Sequence, residues 1–285
     1  MKVLPFKIPK PIHNNLVVQV NDEKVFYNQL HEHEEIQISL IVQGNGKLIV
    51  ANSVTSFVAG DIFVINGRTP HFFQSSSDTV NYFMISIFFT KTGFGKGFFD
   101  LPELEEINGF FDHIAGGYQI LTKRRSIRRI MHNLPRAGAL DKMLYFLKLI
   151  QKINAADKSK LAGYVSSKKI SKTEGLRLQR VFDYTLNNFD KDITLAQIAA
   201  KAHMTPHAFC RFFKQRTDKT FFQFLIELRL EHACQMLLDP SKVSIAEIAE
   251  KSGFTTISNF NRKFKELKLE TPSTYRRRMV LETNY

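Results

Sequence analysis

The chain has 285 residues, room for two or three domains, and its 44% hydrophobic and 24% charged residues are those of a globular rather than a disordered protein. Its formal charge of +13 is unevenly spread: residues 1–120 carry 8 Lys+Arg against 12 Asp+Glu (net −4), residues 121–175 carry 14 against 3 (+11), and residues 176–285 carry 18 against 12 (+6). The first third is therefore not built for polyanions and the rest is, while two cysteines, Cys210 and Cys234, offer no disulfide framework.

In chain order, the opening MKVLPFKIPKPIH has a Lys but no apolar core, so it is no secretory signal. The most apolar run, Tyr82–Phe89, is too short to span a bilayer and reads as a buried strand. A soluble, reduced, cytoplasmic protein with no membrane partner is expected. Residues 1–90 read as short strands separated by turns: Gln37–Val42, the turn Gly44-Asn-Gly46, Lys47–Val50, Gly60-Asp61, Ile62–Ile65, His71-Phe-Phe and Tyr82–Phe89. Regular short strands with Gly turns suggest a small β-barrel or jelly roll over about residues 1–95.

His31-x-His33-x-x-x-Gln37, followed after six residues by Gly44, resembles the first motif of cupins, and Gly60-Asp61 with Pro70-His71 resembles the second. Metal-binding cupins use two His, a Glu and a later His; here Gln37 stands where the Glu is usual. A neutral amide is a poorer ligand for a divalent metal than a carboxylate. Strand alternation would put residues 33, 35 and 37 on one face, so Glu35 stays a candidate. Three readings stand: a metal site, a metal-free effector pocket and structural histidines. The expectation is a pocket with no metal and no cofactor.

Leu101–Phe111 reads as a short helix broken by Gly116-Gly117, and Ala139–Ile153 as a longer one with apolar residues at helical spacing. Between them, Lys123-Arg-Arg-Ser-Ile-Arg-Arg129 is either a solvated face or a polyanion contact. Residues 155–175, rich in Lys, Ser and Ala, form the expected linker. Residues 1–154 would then be one domain, with its helices at about 100–154, and residues 176–285 a second, all-α domain opened by a helix Leu176–Asn188.

That second domain contains a duplication. Ile193-Thr-Leu-Ala-Gln-Ile-Ala-Ala-Lys matches Val243-Ser-Ile-Ala-Glu-Ile-Ala-Glu-Lys at an offset of 50, and Phe209-x-Arg211-x-Phe213-Lys214 matches Phe260-x-Arg262-x-Phe264-Lys265 at an offset of 51. Thr194-x-x-Gln197 and Ser244-x-x-Glu247 are capping boxes, each opening a helix of about two turns. Gly253 suits the following tight turn; His203 stands at the equivalent place, so a different geometry is expected there. Thr205-Pro206 opens the next helix as N-cap and N1. Its apolar stripe is Phe209 and Phe213, and its other face carries His207, Cys210, Arg211 and Lys214. In the second copy Phe260 and Phe264 oppose Ser258, Asn261, Arg262 and Lys265, with Ile257 at the helix start. The two units, about 193–216 and 243–267, read as helix-turn-helix motifs. Their outward side chains suit a major groove: Arg for guanine, Asn for adenine, Ile for a thymine methyl, and Lys for phosphates. Thr220–Leu238 between them reads as one helix of about 28 Å, close to the roughly 34 Å between successive major-groove segments on one face of B-DNA.

Gly253-Phe-Thr-Thr-Ile-Ser-Asn-Phe-Asn-Arg-Lys-Phe-Lys265 with Thr271-Pro272-x-x-Tyr275-Arg276 resembles the signature of AraC/XylS-type bacterial transcription regulators, over about the last hundred residues. The family usually has Gly after the recognition helix, where Asp218 and Leu269 stand here, so these turns are expected to differ in shape. The resemblance implies an α+β chain, with a cupin-like jelly roll that senses a small-molecule effector followed by an all-α DNA-binding domain with two helix-turn-helix motifs. It favours an effector pocket lined by some of His31, His33, Glu35, Gln37 and His71. It also implies a homodimer, double-stranded promoter DNA and RNA polymerase as partners, an activating role, and no enzymatic activity. The rivals are a metal-dependent cupin enzyme fused to a DNA-binding tail and a constitutive DNA-binding protein whose barrel only dimerises.

Overall fold

The computed structural model describes residues 15–76, 81–112, 114–162, 170–238 and 243–283. The opening stretch 1–13, the middle of the expected linker and the Asp239-Pro240 stop lie outside the described residues. Two compact units divide after Lys172.

The first unit is built from two antiparallel sheets. Strands β1 (Leu16–Glu23), β2 (Ile36–Gln43), β5 (Ile62–Ile65), β7 (Tyr82–Phe89), β8 (Tyr118–Ile120) and β9 (Lys158–Lys160) form one, in the order β1-β7-β2-β5-β8-β9; β3 (Gly46–Val50), β4 (Ser53–Phe57) and β6 (His71–Ser75) form the other, in the order β4-β3-β6. Side chains alternate across a strand, and β2 shows what that does here. Ile38 and Leu40 join Ile87 and Phe89 in a core shared with the helices, whereas Ile41 joins Leu48, Phe57, Phe73 and Met84 in a core between the sheets. Helices α1 (Glu105–Asp112), α2 (Arg124–Asn133) and α3 (Ala139–Asn154) bury Phe110, Met131 and Phe146 on the outer face of the large sheet, with the Phe89 and Phe146 rings 4.7 Å apart. Gly44 (φ 106) turns β2 into β3, and a Cβ there would enter the Tyr82 ring.

The expected linker is partly structure. Its Lys158-Ser-Lys160 pairs with Tyr118–Ile120 as an edge strand, and Leu161 and Ala162 are buried between the sheets. A three-residue polar strand shows no periodicity, so only pairing reveals it.

The second unit holds seven helices among the described residues: α4 (Lys172–Asn188), α5 (Leu195–Lys201), α6 (Pro206–Thr217), α7 (Phe221–Leu238), α8 (Ile245–Lys251), α9 (Ile257–Lys268) and α10 (Pro272–Thr283). Helix α7, about 27 Å long at 1.5 Å per residue, is shared by two cores. Its N-terminal half packs Phe221 and Phe224 against Phe213 of α6. Its C-terminal half packs Leu230, Ala233, Cys234 and Leu237 with Ile248, Phe254, Phe260 and Phe264. Each helix pair thus hangs on one end of the same rod.

Candidate nucleic-acid interface and effector pocket

Thr194 and Gln197 form the full reciprocal capping box at the start of α5. At α8 only half of the expected box is present: Ser244 accepts from the Glu247 N–H at 3.1 Å, while the Glu247 carboxylate pairs with Lys251 at 2.9 Å. The turns that follow are the same turn. His203 (φ 53) and Gly253 (φ 82) are both left-handed. Met204 N–H donates to Ala199 O and Phe254 N–H to Ala249 O, both at 3.0 Å. The different geometry expected at His203 is therefore corrected: His tolerates the left-handed region well enough to keep the glycine's shape. Asp218 (φ 55) and Leu269 (φ 62) likewise adopt the conformation that a glycine would, each donating its N–H to a carbonyl one turn back, Lys214 and Lys265. The missing glycines therefore leave both turns in the left-handed shape that a glycine favours.

Thr205 caps α6 and Thr256 caps α9. Phe209, Phe213, Phe260 and Phe264 are fully buried, and Phe212, which the sequence reading passed over, is buried beside them. His207, Cys210, Arg211 and Lys214 on α6, and Ile257, Ser258, Asn261, Arg262 and Lys265 on α9, are all exposed on the opposite faces. The second face is more constrained than its sequence shows. Arg262 donates to Glu266 Oε1 at 2.7 Å and to Asn259 Oδ1 at 2.9 Å, and Lys263 binds the other Glu266 oxygen at 2.7 Å. A groove runs from Asn261, Arg262 and Lys265 to Thr271, Pro272 and Ser273 at the start of α10. The Thr-Pro pair at Thr271-Pro272, a cap followed by N1, was the signal that a helix N-terminus closes this groove. Of the two cysteines, Cys210 is exposed and Cys234 buried; burial pushes the Cys234 thiol up to about 11.

In the barrel, His31 and His71 face each other across an isolated bridge, exchanging N–H···O bonds of 3.2 and 2.9 Å. His31, His33 and His71 are buried, with ring centroids 4.4–5.9 Å apart. Each Nδ1 meets a backbone carbonyl: Gln29 O at 2.8 Å, Glu35 O at 2.9 Å and Thr69 O at 2.7 Å, respectively. A carbonyl only accepts, so each Nδ1 carries the proton and each Nε2 is the basic nitrogen. Burial holds the His31 imidazole down to about 4 and that of His71 well below its usual value, so both are neutral near pH 7. Gln37 Oε1 lies 3.1 Å from His33 Nε2 and 2.9 Å from His71 Nε2, and the other end of the amide reaches Ser39 Oγ at 2.8 Å, which in turn meets Ser86.

Glu35 does not share this centre. The strand begins only at Ile36, so the alternation expected through residues 33, 35 and 37 does not extend back to 35; the Glu35 carboxylate sits on the Nδ1 side of His33 at 3.7 Å. A cavity of about 50 Å³ adjoins the cluster and is lined by His31 and Gln37, by Gln19, Asn21 and Glu23 of β1, by Phe73, Met84, Ser86 and Phe88 of the sheets, and by Val25, Phe26 and Tyr27 of the loop after β1. His33 and His71 stand behind Gln37 rather than on the wall. Gln19, Asn21 and Glu23 were missed: polar residues at alternate positions of β1, on the face that should be apolar, were the legible signal.

Two families match these two regions: the AraC-like ligand binding domain over residues 17–88 and a helix-turn-helix domain over residues 198–278. The chain belongs to the AraC family. Among curated relatives, it is 23% identical over 245 residues to an uncharacterized HTH-type transcriptional regulator of Staphylococcus aureus (strain COL), covering 85% of this chain and 31% of that protein. The chain thus spans about a third of the length of the relatives it matches first. It is 25% identical over 247 residues to the HTH-type transcriptional activator RhaR of Cronobacter sakazakii, covering 86% of each. Among solved structures, a DNA-binding transcriptional dual regulator of Escherichia coli K-12 matches 37% of this AraC-family chain and 93% of its own, with 27% identity and a TM-score of 0.34. Among the described residues no helix is long and apolar enough to cross a membrane.

Proposed function

We propose that this protein is a sequence-specific, DNA-binding transcription activator of the cytoplasm, with no enzymatic activity, whose barrel binds a small-molecule effector. The observation that carries the reading is the pair of exposed faces on α6 and α9, with Arg211 and Lys214 on one and Arg262 and Lys265 on the other, held by the two ends of one helix. A span of about 27 Å suits readers entering successive major-groove segments on one side of a duplex. Arg211, Asn261 and Arg262 read base edges, Ile257 touches a thymine methyl, and Lys214 and Lys265 meet phosphates with His207, Cys210 and Ser258 beside them. The groove at Thr271 adds helix-terminal N–H groups to the phosphate contacts.

The protein acts as a homodimer on promoter DNA and contacts RNA polymerase. Leu140 and Leu144, 74% and 56% exposed on one side of α3, support an association surface there. The barrel cavity as it stands holds a water or two, well below the several hundred Å³ of an ordinary ligand pocket. Effector entry therefore displaces its rim, Val25 and Tyr27, both exposed. Ligand binding then shifts the balance between arrangements of the dimer that do and do not fit the promoter. Operator selection from random duplexes tests the reading: one enriched motif with two half-sites about one helical turn apart is expected, and recovery of no motif from any pool contradicts it.

A further inference from the structure

The centre formed by His31, His33, His71 and Gln37 has a chemistry that effector binding alone does not require. One nitrogen from each of the three rings lies within 4.8 Å of the others. The three Nδ1–carbonyl contacts turn each ring so that its Nε2 is the donor atom, and this outer contact is what orients a metal-ligating histidine and fixes its tautomer. Gln37 Oε1, which also carries lone pairs, faces two of those nitrogens at 2.9 and 3.1 Å. Lone pairs facing lone pairs repel unless something positive lies between them. Metal–nitrogen and metal–oxygen bonds of about 2.1 Å place neighbouring ligands about 3 Å apart around a six-coordinate ion, which is the spacing of Gln37 Oε1 from the His33 and His71 nitrogens. The alternative is a rotated Gln37 amide whose two N–H groups donate to His33 and His71, a hydrogen-bonded network with no ion.

We propose that His31, His33, His71 and Gln37 bind one first-row divalent transition metal ion. Three imidazoles and an amide oxygen suit zinc, cobalt, nickel, iron or manganese and not the hard cations calcium and magnesium, which take all-oxygen, carboxylate-rich sites. The carboxylate of Glu35, at 3.7 Å from His33 Nδ1, is an outer contact and not a ligand. The cavity lined by His31 and Gln37 adjoins the ion, so an effector with an oxygen donor can reach a remaining coordination position. The sensor thereby differs from an ordinary polar pocket in needing the ion for its polar end. The proposal goes beyond the regulatory reading and holds whether or not the barrel signals to DNA.

The test is cobalt(II) titration of chelator-treated, full-length protein, followed by its visible absorption and by thermal unfolding, with zinc(II) repeated in the unfolding arm. Uptake of one equivalent with ligand-field bands, and a melting temperature raised by both metals, is the expected result. His71→Ala abolishes both responses, Gln37→Ala weakens them, and His132→Ala, on the exposed face of α2, leaves them intact. Because His71 is fully buried, its variant is judged only if its circular dichroism is native; Gln37→Glu is the second variant, and a carboxylate at that position tightens uptake. No uptake and no thermal shift in the wild-type protein at a tenfold excess of metal overturns the proposal in favour of the hydrogen-bonded network. Uptake that survives both His71→Ala and Gln37→Ala also overturns it, because the ion then sits elsewhere. Operator binding is recorded in the same samples: loss of DNA binding with metal uptake intact counts against the regulatory reading and not against the site.

Discussion

Leu269 ends α9 in the left-handed conformation, φ 62, with its side chain 87% exposed. Replacing it with glycine removes a steric cost of about 1–2 kcal/mol for an L-residue held there. Glycine's greater freedom in the unfolded chain offsets about 0.5–1 kcal/mol of that gain. A side chain this exposed contributes little burial, so Leu269→Gly is expected to stabilise the helical unit by about 0.5–1 kcal/mol, or about 2–6 °C for a domain of roughly 100 residues. Asp218→Gly and His203→Gly should gain less, because Asp and His visit the left-handed region more readily than Leu. Gly253→Ala is the reverse control: its Cβ would stand 2.7 Å from Phe189 O and 2.9 Å from Asp190 Cα, and it should destabilise. Scanning calorimetry of the full chain, assigning the transition that moves, ranks the four. A lower melting temperature for Leu269→Gly than for wild type would refute the argument, since it would mean that the leucine side chain does more than occupy a strained cap.

Arg211→Ala and Arg262→Ala should each cost about 1–3 kcal/mol on the specific site if the guanidinium reads guanine, and little on unrelated DNA; equal losses on both duplexes, measured by fluorescence anisotropy, would make them phosphate contacts. Glu266→Gln frees Arg262 and Lys263 from a carboxylate that also repels the duplex, so it should tighten binding and steepen its salt dependence; weaker binding would show that Glu266 positions Arg262 for reading. Cys210 should react with a thiol reagent at pH 8 and be shielded by operator DNA, while Cys234, buried and with its thiol pushed up to about 11, should react only on unfolding; a Cys210 rate unchanged by DNA would remove α6 from the interface.

The helical unit was legible because its information is local. Caps at Thr194, Thr205 and Ser244, and phenylalanines at helical spacing, name their elements without help from distant residues. Where that reading went astray it was over His203, Asp218 and Leu269. Sequence preference argued against a left-handed residue there, but the i→i−4 and i→i−5 bonds of the helix ends hold the backbone regardless of side chain. The barrel was less legible because its elements depend on partners far along the chain. Lys158-Ser-Lys160 is a strand only because Tyr118–Ile120 lies beside it. The histidine centre joins residues forty positions apart, and its motif named the residues while giving no tautomer, no orientation for Gln37 and the wrong side for Glu35.

The central claim is that the faces of α6 and α9 read DNA in sequence. Genome-wide DNA binding in the native host, comparing wild type with the Arg211→Ala/Arg262→Ala double variant expressed at equal level, tests it most directly. Discrete wild-type peaks that share a motif and vanish in the double variant are the predicted result; the same peaks retained in the variant would contradict it.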